Sequence, residues 1–139
     1  MKKIDNFTKS LAWLKKVNFA NEDEIYIMGI IGQFNLTFEL AWKALQAVLR
    51  LHGVSGAETG SPREILQLGY KFGFINDSDV WLAMLKKRNT LIHIYDENER
   101  NKMLVLIRDN FIPALITLEN VLHEKLHDAE GDWNIKFSS

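Results

Sequence analysis

The sequence predicts an all-α fold. Apolar residues recur at three- and four-residue spacing through most of the chain, no run alternates with period two convincingly enough to make a strand, and helix-starting signals stand where these stripes begin. With 139 residues, 47% of them hydrophobic and 25% charged, the chain is large enough to bury one proper core, so a single domain is expected.

The first helix is expected over about residues 5–16, where Phe7, Leu11 and Leu14 share a face with Ala12 and Trp13 beside them. A long second helix runs from Glu22 to about His52. Its stripe is Ile27, Ile30, Ile31, Phe34, Phe38, Ala41, Trp42, Leu45, Val48 and Leu49. A second stripe, Gly29, Gly32, Leu36 and Leu40, lies off that face. A helix apolar on two sides is buried on two sides, so this one is expected to pack in its own domain and against another subunit. The two glycines would permit close backbone approach there. His52 to Gly60 is a loop by composition and reads as a flexible connection, because no Gly-Lys-Ser/Thr follows to make a phosphate cradle.

Ser61-Pro62-Arg63-Glu64 is a capping box with proline at the first helical position, opening a third helix that stops at Gly73. Asp77 or Ser78 opens a fourth, which sends Trp81, Met84 and Leu85 into the core and carries Arg88 further along. Asp96-Glu97-Asn98-Glu99 caps the last helix, about residues 97–128, which buries Leu104, Ile107, Phe111, Leu115, Leu118 and Leu122. Pro113 should kink it, because proline removes a backbone donor. Residues 131–139 form a C-terminal tail, leaving 1–130 as the domain.

Several function classes drop out early. The chain has no cysteine, which removes thiolate metal sites, thiol nucleophiles and disulfides and suits a reducing cytoplasm. Its start, Met1-Lys2-Lys3-Ile4-Asp5, does not read as a secretory signal. The most apolar stretch is interrupted by Gln33, Asn35, Glu39, Lys43 and Gln46, so no membrane span is expected and the location is read as cytoplasmic. A net charge of −1 argues against a generic nucleic-acid coat, though not against a small basic site.

One run carries chemistry. Arg88-Asn89-Thr90-Leu91-Ile92-His93-Ile94-Tyr95 spaces its polar residues as Arg-x4-His-x-Tyr. Arginine offers a permanently charged, forked donor for phosphate oxygens, histidine moves a proton near neutral pH, and tyrosine presents a modifiable hydroxyl. If the helix continued, His93 would be rotated ~140° from Arg88, so one chain would not grip one atom with both. Asn89 would instead share a face with His93 and orient its ring. That phasing favours a composite site built across a two-fold axis. Cleaving RNA through its own 2′-hydroxyl needs an acid–base group and stabilisation of the phosphorane, and no metal or cofactor. The plain alternative is that Arg88 pairs with Glu97 or Glu99 while His93 caps a helix end. Phe34, Phe38, Trp42 and Trp81 read as core rather than stacking platforms, Glu39 and Lys43 as a surface ion pair, and His123 with His127 as a solvent-facing coincidence without a third metal ligand.

Gln33-Phe34-Asn35-Leu36-Thr37-Phe38-Glu39-Leu40-Ala41-Trp42-Lys43, then Ser61 to Glu64, then Trp81 to Glu97, resemble in order the nucleotidyltransferase substrate-binding protein family of the HEPN superfamily, similar to HepT toxins. The resemblance covers about residues 5–125. It implies an antiparallel four-helix up-and-down bundle with an additional short helix, forming a homodimer or higher even oligomer. It also implies a minimal nucleotidyltransferase as partner and RNA as a possible substrate. On the family pattern Arg88, His93 and Asn89 become the catalytic element of an endoribonuclease. Tyr95 becomes the residue the transferase adenylylates to silence it. The alternative is a non-catalytic subunit that presents substrate or nucleotide to the transferase.

Overall fold

The structure is a computed structural model that describes residues 1–88 and 95–138, with side chains described through residue 129. Every regular element among the described residues is helical: α1 (Lys2–Lys15), α2 (Glu24–Leu51), α3 (Pro62–Lys71), α4 (Ser78–Lys87), α5 (Glu97–Leu106), a π-helical turn (Ile107–Phe111) and α6 (Ile112–Ser138). The all-α expectation holds.

The long helix α2 is the centre of the packing, touching α1, α3 and α6, while α1 also packs on α6. Its N-terminus is fixed by Asp23, whose carboxylate accepts a hydrogen bond from the backbone N–H of Tyr26 at 3.0 Å. The stripe expected from the spacing is buried, Trp42 alone being only partly so. Phe34 stacks on Phe111 with centroids 5.1 Å apart, and Phe38 tilts against Trp81 at 6.2 Å. Each such fully buried ring contributes roughly 1.5–3 kcal/mol by leaving water. Helix α1 lies antiparallel on α2, since Ser10 meets Thr37 and Gln33 whereas the backbone N–H of Asn18 donates to the Tyr26 hydroxyl. Ser10 Oγ and Thr37 Oγ1, both buried, are 2.7 Å apart, and the Gln33 amide donates to Ser10 at 3.0 Å, so the polar groups in this seam satisfy one another.

The short helices follow their local signals. Ser61 and Glu64 form the reciprocal capping box with Pro62 at the first position of α3, and Gly73 ends that helix with φ +79°. Gly69 serves packing instead. A Cβ there would stand 2.9 Å from Leu45 Cδ2, so its bareness lets α3 press against α2. The loop before α3 is more tightly packed than a flexible connection, with Val54 and Ala57 buried and the Gln46 amide donating to the Ala57 carbonyl at 3.1 Å.

Two expectations are revised. The chain after Asp96 is helical without a break, as expected, but its irregularity is a π turn ahead of Pro113, with the N–H of Ile112 donating to the carbonyl of Ile107. Pro113 follows one residue later, and the widened turn absorbs the missing donor and the crowding of its ring against the preceding turn. The α6 backbone continues through Gly131 to Ser138 instead of breaking there. The close approach expected at Gly29 and Gly32 is to another subunit; within this chain, nothing among the described residues lies within 4 Å of a Cβ built at either. Their face of α2 is bare: Ile25, Met28 and Leu36 are exposed beside them. No helix of the described residues is long and apolar enough to cross a membrane.

Candidate functional site

Trp81 and Met84, both buried, hold α4 on the core and carry its C-terminus to the flank of α2. Arg88 makes the last helical bond, its N–H donating to the Met84 carbonyl at 2.9 Å, and then leaves the helix with ψ 149°. The helix therefore ends one residue before Asn89. This removes the basis for the ~140° helical phasing between Arg88 and His93, which required α4 to continue.

The Arg88 guanidinium sits over the Phe38 ring, 5.8 Å from its centroid, and Nη1 donates to Glu39 Oε1 at 2.8 Å. The other carboxylate oxygen, Oε2, accepts from Trp42 Nε1 at 2.9 Å. Two oxygens of one side chain thus bind an indole on the same helix and a guanidinium brought in from 49 residues away. The Lys43 ammonium lies 5.9 Å from the Trp42 ring centroid. The Arg88 and Glu39 side chains are 26% and 39% exposed, so the pair faces a surface where solvent and ligand reach it.

This arrangement differs from both alternatives read from the sequence. Arg88 pairs with Glu39 of α2 rather than Glu97 or Glu99, and Glu39 turns to Arg88 and Trp42 rather than Lys43. Glu39 and Trp42 are the neighbours that sequence reasoning missed. Their i, i+3 spacing on one helix is a usable sign, since residues three apart share a face. The aromatic residues Phe34, Phe38 and Trp81 are core, as expected.

At the far end of the motif, Tyr95 occupies the turn before α5 and is 94% exposed. The next residue, Asp96, caps α5 by accepting from the N–H groups of Asn98 at 3.0 Å and Glu99 at 3.2 Å, so the tyrosine is displayed from an anchored helix start. Asn89 and His93, the other two expected catalytic residues, lie outside the described residues. Arg100, near the start of α5, reaches Glu24 of α2 at 3.8 Å, and its Nε is buried without a hydrogen-bond partner among the described residues.

The remaining histidines make local contacts. His52 Nε2 donates to the Lys125 carbonyl at 2.9 Å, joining the end of α2 to α6, and His123 Nε2 lies 3.3 Å from Thr8 Oγ1. No group of three or more histidine, aspartate or glutamate side chains among the described residues is placed to hold a metal ion.

The chain is 27% identical over 104 residues to "Probable ribonuclease HepT" of Haemophilus influenzae, covering 73% of this chain and 71% of that protein. A crystal structure of a protein from Thermus thermophilus superposes with a TM-score of 0.60 at 26% identity, covering 88% of this chain and 98% of that one. Residues 2–124 match the family described as "Nucleotidyltransferase substrate binding protein like". The braced arginine and the displayed tyrosine thus stand at the edges of the motif in a chain that belongs to the nucleotidyltransferase substrate binding protein like family.

Proposed function

We propose that this protein is a HepT-like, metal-independent endoribonuclease of a cytoplasmic toxin–antitoxin pair, silenced when a partner minimal nucleotidyltransferase adenylylates Tyr95. The observation that carries the reading is the position of Arg88: a guanidinium fixed at a partly open surface, at the head of the Arg-x4-His-x-Tyr run. The likeness to a probable ribonuclease supports RNA as the substrate. In this reading the helices form an antiparallel four-helix up-and-down bundle with one additional short helix. Two copies pair through the bare apolar face of α2, setting two motifs side by side.

The chemistry follows from the residue types. His93 takes the proton of the 2′-hydroxyl as its oxygen attacks phosphorus, with Asn89 beside Arg88 as the third residue of the catalytic element. The phosphorane gathers negative charge, which Arg88 stabilises. The P–O5′ bond then breaks, and the leaving oxygen takes a proton from the second copy's motif. The products are a 2′,3′-cyclic phosphate and a 5′-hydroxyl. For silencing, the Tyr95 hydroxyl attacks the α-phosphorus of ATP, pyrophosphate leaves, and the resulting anionic diester and nucleoside occupy the space and charge meant for RNA.

The test is expression of the chain alone and as His93→Ala, followed by growth and RNA end analysis in the presence of EDTA. The reading expects toxicity and cyclic phosphate ends from the first and neither from the second. A harmless wild type that folds, dimerises and leaves RNA intact sinks the nuclease. The second reading is a non-catalytic subunit presenting substrate to the transferase, which the family description itself favours. Mass spectrometry after incubation with the transferase and ATP decides the modification, and an unmodified Tyr95 removes it.

A further inference from the structure

We infer that Glu39 and Trp42 are positioning residues, a two-part brace on α2 that sets the orientation of the Arg88 guanidinium. What Arg88 does rests on the ribonuclease reading; the brace itself stands on geometry alone. A carboxylate held at one oxygen only can swing about its terminal torsion, which is broad in glutamate. Here the Trp42 indole N–H pins Oε2 at 2.9 Å, and that fixes where Oε1 must lie. Oε1 in turn receives Nη1 of Arg88 at 2.8 Å, while the buried Phe38 ring supports the guanidinium from one side. A planar fork touched on one edge and one face has little freedom left. The Trp42 ring is itself half-buried on a core helix and has Lys43 above it, so the brace traces back to packed structure.

A purely stabilising role fits these observations less well. Ion pairs this exposed contribute little to folding, because solvent screens them and two long side chains must be ordered. Their geometry, in contrast, is specific. The pair also has chemical logic at a phosphate site. Glu39 cancels the net charge of Arg88, which weakens attraction for a singly charged phosphodiester. The oriented donors still answer the second negative charge that develops in the phosphorane. The brace should therefore act on turnover more than on substrate binding.

The experiment uses the full chain, a single-stranded oligoribonucleotide and four variants: Trp42→Phe, Glu39→Gln, Arg88→Ala and Trp42→Phe with Arg88→Ala. Trp42→Phe keeps a ring and removes the indole donor. We expect kcat to fall roughly tenfold with KM changed less than about twofold, since a misplacement of a full ångström costs on the order of 10²-fold. Glu39→Gln should match it, because an amide that accepts from the indole must turn its NH₂ group toward the guanidinium. In the Arg88→Ala background Trp42→Phe should cost nothing more. An undiminished loss in that background, or unchanged kcat in both single variants, overturns the brace. Nitrogen-15 spectra of the same proteins separate this from the nuclease reading. Arg88→Ala should move the Trp42 indole resonance and Trp42→Phe should move the Arg88 guanidinium resonances. If the wild type cleaves no RNA yet these shifts occur, the nuclease reading fails and the brace stands. If neither resonance moves, the brace fails whatever the activity. Should Trp42→Phe not fold, Glu39→Gln carries both measurements.

Discussion

Arg88 and Tyr95 stand at opposite ends of one short run, and the protein treats them in opposite ways. Arg88 is tied to α2 through Glu39, supported by Phe38 and carried by a helix whose Trp81 and Met84 are buried. Tyr95 is almost fully exposed, beside a capping aspartate that holds the backbone but not the ring. A group that must meet a phosphate in one geometry gains from rigidity. A group that another protein must reach gains from standing clear. On the proposed function, the contrast is that between a working residue and a handle.

The contrast can be broken at several points. The largest effect is expected at Phe38→Ala, which removes the buried support of Arg88 and should cost about 3–5 kcal/mol of unfolding free energy, read from urea denaturation. A much smaller cost would mean that the support beneath Arg88 is loosely packed. Arg88→Ala should come next: RNA cleavage falls on the order of 10²–10³-fold, as when one donor to a developing oxyanion is lost. Its stability cost should stay within about 1 kcal/mol, because the ion pair with Glu39 is more than a quarter exposed and screened. Equal losses of activity and stability would instead mark Arg88 as structural. Tyr95→Phe should change unfolding free energy by less than about 0.5 kcal/mol, leave cleavage intact and abolish mass gain in the presence of the transferase.

The smallest effect serves as a control for charge pairs that brace nothing. Arg108 and Asp109 pair at 2.8 Å on the π turn, each side chain about half exposed. The hydrogen bond from Arg108 holds the Asp109 carboxyl below its ordinary value. A depressed carboxylate adds stability above its unfolded pKa of about 3.9 and loses it as pH falls through the lower folded value. Asp109→Asn should therefore remove that small contribution at pH 7, at the edge of detection for a screened pair, and leave stability unchanged at acid pH where the wild-type carboxyl is itself protonated. A clear loss at neutral pH would show that exposed pairs matter here more than solvent screening allows.

Much of the fold is legible in the sequence because its signals are local. The spacing of Ile27 through Leu49 maps onto the buried face of α2, and Ser61, Asp96 and Gly73 act where capping chemistry predicts. The partner of Arg88 is not legible in that way. Glu97 and Glu99 are near in sequence, while Glu39 is brought up only by tertiary packing, in which α4 rests on α3 and the π turn and sets Trp81 against Phe38 of α2. The end of α4 is obscure for a related reason: arginine is a good helix former, so nothing local marks Arg88 as the residue that turns away. The spacing of Trp42 assigns it to the core, whereas its ring is only partly buried against that core, and the spacing is silent about its N–H.

The π turn at Ile107–Phe111 has a consequence for aim. Helical residues advance by roughly 100° each, so a turn that takes in one more residue rotates everything upstream by about that much. The turn works as a one-tooth gear between α6 and α5. Met103 faces the core, and Asp96 with Tyr95 follows from where that gear is set. Deleting a single residue within the turn would leave an ordinary helix and an intact α6. The tyrosine would then point toward a different quadrant of the molecule, and on the proposed function the transferase would find the right residue in the wrong direction.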